Sequence, residues 1–234
     1  MGDSTPEEFC LRPDDERLES LAEFAAGAGH EINNPLATIV GRVQQLLRGE
    51  SDPVRRQALL TIGAQAYRVR DMIGDVMLFA RPPEPERRDC LLTALVEQVR
   101  QQWTAGDELS SIPLVVGDVP AVALNVDPTQ FAVVLHELLR NAREASVGRG
   151  TEIRLRGEVT GQSVMVVIED DGQGFSDEAR RHAFDPFYSA RQAGRGLGFG
   201  LCKVWRIVAG HGGRVEIDST PAGPTRVTTW WPLA

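Results

Sequence analysis

The chain has 234 residues, 42% of them apolar and 25% charged, an ordinary balance that leaves room for one large domain or two small ones. Its net charge of -8 argues against nucleic acid or an anionic membrane as the main partner, and no apolar run approaches the roughly 20 residues of a membrane span, so no membrane insertion is expected. There is no basic-then-apolar leader, and Cys10, Cys90 and Cys202 form no CxxC pair, which points to free thiols in a reducing cytoplasm.

Residues 1–13 are polar, acidic and Pro-containing, and are expected to be a flexible N-terminal segment. A long helix is then predicted to about residue 48. Its apolar positions Leu18, Leu21, Ala25, Ala28 and Ile32 are three and four apart, and the stripe resumes at Leu36, Ile39, Val43 and Leu46. His30 falls between Ala28 and Ile32, so it is expected to face solvent. Glu31 lies on its flank, and Asn34 sits one turn on along the same face. Pro35 removes a backbone donor, which predicts a bend just past the histidine. After the turn at 49–53, Asp52 and Pro53 are suited to start a second helix, running to about residue 80. Its stripe is Leu59, Ile62, Ala66, Val69, Ile73, Val76 and Ala80. Two antiparallel helices cannot cover both stripes, so a homodimer closing a four-helix bundle is expected; the alternative is docking of the hairpin on the rest of the chain.

The Pro-rich, charged stretch around 81–90 reads as a linker, which divides the chain into a helical domain over 14–80 and a second domain over 91–234. In the second domain a helix is predicted over 91–103, strands over 112–116 and 122–126, and a helix from Asp127-Pro128 to Ser146. Strands over 151–159 and 163–169 form a hairpin turning at Thr160-Gly161. A long loop with a short helical piece follows over about 175–195, then a helix over 197–209 and strands over 214–218 and 225–231. Without regular βαβ alternation, this pattern implies an α+β two-layer sandwich with helices on one face of a mixed sheet.

Three constellations in this domain carry chemistry. Glu137 and Asn141 are four apart on one helix face, and their oxygens could meet a hard cation such as Mg2+, although many such pairs are simply solvated. Asp170-Asp171-Gly172-Gln173-Gly174-Phe175 ends an apolar strand; it reads equally as a tight turn or as a close approach of backbone to a flat ligand, with a carboxylate to accept from an exocyclic amine. Gly194-Arg195-Gly196-Leu197-Gly198-Phe199-Gly200 opens a helix and offers N–H groups and one cation to phosphates. It does not fit GxxxxGK[ST], and no strand directly precedes it, which excludes the P-loop and Rossmann readings.

Together and in this order, the motifs resemble those of the sensor histidine kinases of two-component systems. Gly29 to Leu36, with its His-Glu-Ile-Asn-Asn-Pro-Leu wording, is similar to their H box, and residues 136–142 to the N box. Residues 170–175 are similar to the first glycine box, 184–188 to the F box and 194–200 to the second glycine box. The wording of 79–88 resembles the soluble, nitrogen-regulation-like branch. The resemblance implies a dimerisation and histidine-phosphotransfer domain followed by a GHKL-type (Bergerat) ATP-binding fold. It also implies ATP and Mg2+ as cofactors, and autophosphorylation followed by transfer to an aspartate on the receiver domain of a separate response regulator. His30 would be the phospho-acceptor and Glu31 its general base. Asn34 would orient water when the regulator is dephosphorylated. Asp170 would read adenine, flanked by Gly172 and Gly174. Asn141, with Glu137 one turn earlier, would meet the metal. Phe187, Arg191, Gly194, Arg195, Gly196, Leu197 and Gly198 would line the lid and phosphate-binding segment. Glu137 departs from the Asn of many such kinases and matches the water-activating Glu of related GHKL ATPases, which implies some futile hydrolysis. Arg191 stands in place of a common Lys. Input would arrive through the N-terminal segment or a separate sensor protein.

Overall fold

The computed structural model describes residues 15–80, 82–105, 112–188 and 198–234; the side chains of 15–26, 28, 30, 80, 104 and 105 fall outside the description. The chain forms two compact units that meet at Pro82 and Pro83.

The first unit is a hairpin of α1 (Asp15–Leu47) and α2 (Pro53–Ala80). Asp52 starts α2 as expected, its Oδ1 accepting from the N–H groups of Val54 and Arg55 at 2.8 and 3.1 Å. α1 runs unbroken through Pro35. The packed seam follows part of the predicted stripe. Along α1 the buried positions are Gly29 and Val43, with Ile32, Asn33, Leu36, Val40 and Leu47 half-buried. Along α2, Gly63, Ala66 and Phe79 are buried, with Leu59, Ile73 and Val76 half-buried. The helices approach through glycine: a Cβ on Gly63 would stand 3.2 Å from Val43, and one on Gly29 would stand 2.7 Å from Met77 Sδ. Four stripe residues, Ile39, Leu46, Ile62 and Val69, instead lie on the exposed side with Leu60 and Tyr67.

The second unit is an α+β sandwich. A five-stranded sheet runs in the order β2 (Leu114–Val116), β4 (Ile153–Thr160), β5 (Ser163–Asp170), β7 (Thr225–Pro232), β6 (Arg214–Ser219), and only β2 and β4 are parallel. One strand was not foreseen: Arg88–Leu91, inside the predicted linker, forms β1 and pairs antiparallel with β3 (Ala123–Val126) in a separate two-stranded sheet. Alternate residues Val164, Val166 and Ile168 of β5, with Ile153 and Leu155 of β4 and Val227 and Trp231 of β7, join one core with α3 (Leu92–Ala105), α4 (Pro128–Ser146) and α6 (Gly200–Gly210). Trp231, Phe131, Leu135 and Leu139 are fully buried there, each contributing about 1.5–3 kcal/mol by leaving water. A short helix, α5 (Asp177–Arg181), lies within the predicted loop.

Residues 83–87 are bonded to this unit. Pro83 O accepts from Gln130 Nε2 at 2.9 Å, Glu86 N–H donates to Asp127 Oδ2 at 3.0 Å, and Arg87 donates to Gly210 O at 2.6 Å. Asp127 also caps α4, its Oδ1 accepting from Thr129 and Gln130 N–H. Its own N–H donates to Nε2 of the buried His211, whose Nδ1–H faces Ile207 O. Burial pushes the His211 pKa down, in keeping with this neutral tautomer. The segment read as linker therefore belongs to the second unit from Pro83 on.

Candidate functional site

Two sets of chemistry-bearing residues lie in the two units. In the hairpin, His30 occupies the middle of α1, its side chain outside the described residues. Gly29 faces α2, while Glu31 and Asn34 are exposed, so the 31–34 side of the helix is open. Thr38 Oγ1 donates to Asn34 O at 3.1 Å. Asn33 Oδ1 is buried without a hydrogen-bond partner among the described residues.

In the second unit, β5 delivers two adjacent carboxylates into opposite surroundings. Asp171 is exposed and bound to Thr151, accepting its N–H at 2.8 Å and its hydroxyl at 2.5 Å. These bonds lower its pKa and fasten the start of β4. Asp170 is buried on the helix side of the sheet, with Oδ1 accepting Gly172 N–H at 3.0 Å. Burial raises its pKa to about 6, partly offset by the Gly172 bond. A nearly buried carboxylate held at such a cost suits a cationic or N–H-bearing ligand.

The neighbouring glycines are required by the protein itself. A Cβ on Gly172 would fall 2.5 Å from the Ala145 carbonyl of α4, and one on Gly174, at φ +67°, would fall 2.0 Å from Thr220 O. Gly174→Ala is expected to lower the stability of this unit by about 2 kcal/mol or more through overpacking and backbone strain, read as a shift in the urea midpoint at unchanged slope.

The first turn of α6 is where the helix-borne groups converge. Phe199 at its N-cap makes no side-chain cap. A Cβ on Gly200 would lie 3.1 Å from Glu137 Oε2, 3.3 Å from Asn141 Nδ2 and 3.4 Å from an Arg140 nitrogen. Phe187, in a left-handed conformation at φ +64° and 60% exposed, sets its ring edge-on to Phe199, centroids 4.7 Å apart. Gly198, at φ +73°, packs against the Tyr188 backbone. Arg191, Gly194, Arg195, Gly196 and Leu197 lie outside the described residues.

Two groups were not foreseen. Lys203, 5% exposed, reaches from α6 to Glu137, with Nζ 2.5 Å from Oε1, and Arg140 takes Glu137 Oε2. Both oxygens of Glu137 are thus engaged by cations in the structure, with Asn141 one turn further along α4. Among the described residues no group of three or more His, Cys, Asp or Glu could hold a metal. The signal for Lys203 was a charge set between Cys202 and Val204, both buried residues of α6. A separate cavity of about 390 Å³ opens at the strand ends, lined by Thr151, Glu169, Asp170, Ser219, Thr225 and Arg226 among others; it includes no residue of α4 or α6.

Comparison with known proteins follows the same division. The family described as His Kinase A (phospho-acceptor) domain matches residues 20–85. The family of histidine kinase-, DNA gyrase B- and HSP90-like ATPases matches residues 126–234. The signal transduction histidine-protein kinase AtoS of Escherichia coli K12 is 32% identical over 93% of this chain and 36% of its own length. The chain belongs to the sensor histidine kinases of two-component systems. Sensor protein FixL of Bradyrhizobium diazoefficiens is 30% identical over 88% of this kinase chain and 42% of its own. The kinase chain thus spans less than half the length of these curated relatives. Among solved structures, full-length ShkA in complex with AMPPNP has a TM-score of 0.79 at 22% identity, over 91% of this chain and 46% of that one. Histidine kinase ThkA in complex with the response regulator TrrA has 0.67 at 22%, over 99% and 68%. At this identity the likeness speaks to the fold. No helix among the described residues of this kinase chain is long and apolar enough to cross a membrane.

Proposed function

We propose that this chain is an ATP-dependent protein-histidine autokinase that phosphorylates His30 and passes the phosphoryl group to an aspartate on the receiver domain of a separate response regulator. The observation that carries the reading is the convergence of Asn141 and Arg140 on the uncapped first turn of α6, in a unit that also holds the buried Asp170. A helix N-terminus beside a cation and an amide suits the phosphates of ATP, and Asp170 suits the adenine amine. Asn141 is the residue proposed to meet Mg2+, which when bound would offset phosphate charge. Gly198 and Phe187 flank the same turn. The proposed roles of Arg191, Gly194, Arg195, Gly196 and Leu197 rest on the motif resemblance.

In the transfer step a ring nitrogen of His30 attacks the γ-phosphorus. The bond from that phosphorus to the β,γ-bridging oxygen breaks, and ADP leaves with the electron pair. Glu31, adjacent and exposed, accepts the ring proton's hydrogen bond and favours the cationic ring. The exposed apolar residues Ile39, Leu46, Leu60, Ile62 and Val69 support a homodimer closing a four-helix bundle. The working boundaries are a phosphotransfer hairpin over 14–80 and an ATP-binding domain from residue 83. Cytoplasmic location and input from a separate sensor protein complete the proposal.

The test is incubation with γ-labelled ATP. Acid-labile, base-stable label should appear on the protein and disappear in His30→Gln, which should still bind ATP. Label persisting in that variant, or free phosphate alone from the wild type, would refute the reading. Asn34 should separate the two reactions: Asn34→Ala is expected to keep autophosphorylation within about a few-fold while slowing dephosphorylation of the phospho-regulator ~10-fold, since an amide there orients water. Equal loss of both rates with a lowered melting temperature would leave Asn34 a structural residue.

A further inference from the structure

Lys203 and Glu137 form a buried contact between α6 and α4 at the site assigned above to the phosphates. Lys203 is 5% exposed and Glu137 8% exposed. A lysine is seldom buried unless paired, and a pair of this kind is commonly replaceable by apolar side chains without loss. Its place is therefore informative. Glu137 Oε2 lies close to the position a Gly200 Cβ would fill, on the first turn of α6, beside Asn141. A carboxylate at that point could serve a water molecule attacking ATP. The water oxygen would bond to the γ-phosphorus, the bond to the β,γ-bridging oxygen would break, ADP would leave with the electron pair, and the water proton would pass to Glu137. The products would be ADP and inorganic phosphate, and His30 would receive nothing. In the structure both Glu137 oxygens are already engaged by cations. Oε1 accepts from Lys203 Nζ at 2.5 Å and Oε2 from Arg140. Arg140 is partly exposed, its side chain 44% accessible, whereas Lys203 is held by burial.

We propose that Lys203 is a positioning residue that decides the acceptor of the phosphoryl group: by holding Glu137 through Oε1 it denies water a proton acceptor and reserves the γ-phosphoryl group for His30. This rests on the autokinase reading above. It turns the Glu137 that alone would imply futile hydrolysis into a silenced one, with its partner 66 residues further along the chain.

The experiment uses the full chain with γ-labelled ATP and Mg2+ and compares phosphohistidine formed with inorganic phosphate released. Phosphate release is measured also in a His30→Gln background, where it can arise only by water attack. Lys203→Met should raise phosphate release relative to phosphohistidine by about tenfold or more. Lys203→Arg should keep the ratio within about threefold, and Glu137→Gln added to Lys203→Met should return it to the wild-type value. Calorimetric titration with a non-hydrolysable ATP analogue should give affinities within about threefold for all of these variants. An unchanged ratio in folded Lys203→Met, or a rise that persists in the double variant, would overturn the proposal. So would an affinity loss beyond about tenfold, which would place Lys203 in nucleotide binding. Should Lys203→Met fail to fold, the double variant decides: phosphate release equal to wild type supports silencing, and release below wild type means that Glu137 works as a base despite Lys203. A wild type that releases phosphate but leaves His30 unlabelled would refute the autokinase reading, while the same comparison of phosphate release would still report on Glu137.

Discussion

Asp170→Asn is expected to weaken ATP binding by roughly ten- to hundredfold while making the nucleotide-free protein more stable. The loss follows from replacing a charged hydrogen-bond acceptor for the adenine amine by a neutral one, about 1.5–3 kcal/mol. The gain follows from the carboxylate's surroundings. Its pKa in the folded protein is raised from 3.8 to about 6, chiefly by burial. A raised carboxylate binds its proton more tightly folded than unfolded. Its contribution to stability is complete below pH 3.8 and lost as pH rises through about 6. At neutral pH the ionised group therefore costs about 1–3 kcal/mol, which an asparagine does not. Binding has the opposite pH sense: protonation below about pH 6 removes the acceptor, so wild-type affinity should fall by up to ~10-fold per pH unit there beyond any fall in Asp170→Asn. The ATP phosphates titrate in both proteins, so the difference between the two profiles isolates Asp170. Calorimetric titrations from pH 5 to 8 and urea melts without nucleotide supply the measurements. An Asp170→Asn protein that binds ATP as tightly as wild type removes Asp170 from the site.

Lys203→Met should destabilise the second unit by about 3–5 kcal/mol, because it leaves the buried Glu137 without its buried cation partner. Glu137→Gln in the same chain should recover most of that loss, since an uncharged pair of similar volume is close to neutral there. All four tryptophans, Trp103, Trp205, Trp230 and Trp231, lie in the second unit, so their fluorescence during urea unfolding reports on it alone. A loss below about 1 kcal/mol for the single variant would mean that Lys203 is solvated in solution.

The elements of the second unit were legible because their signals are local: Asp127-Pro128 starts α4, Gly161 turns β4 into β5, and an apolar run marks β5. The hairpin seam was legible in part: Ile32, Leu36, Val43, Leu59, Ala66, Ile73 and Val76 of the predicted stripes pack between the helices, while Ile39, Leu46, Ile62 and Val69 stay exposed in the single chain, and the close approach at Gly29 and Gly63 carries no hydrophobic signal. β1 was hidden because Arg-Asp-Cys-Leu is short and polar, and it exists only by pairing with β3. At the site, Asp170 could be chosen over Asp171 only from the motif, and burial now separates them. The pairing of Glu137 with Lys203 could not be foreseen, because Lys203 lies on another helix, beyond any local pattern.

The bonds from residues 83–87 to α4 and to Gly210 bear on how such a chain can be cut and spliced. A fragment begun at Leu91, where the sequence places the domain start, would discard most of β1 and leave Asp127 Oδ2 and the Gln130 amide without their partners. A hybrid that grafts another hairpin onto this catalytic unit should be joined at Arg81-Pro82. There the exchange leaves each of these bonds in place, and the donor helix ends where α2 does.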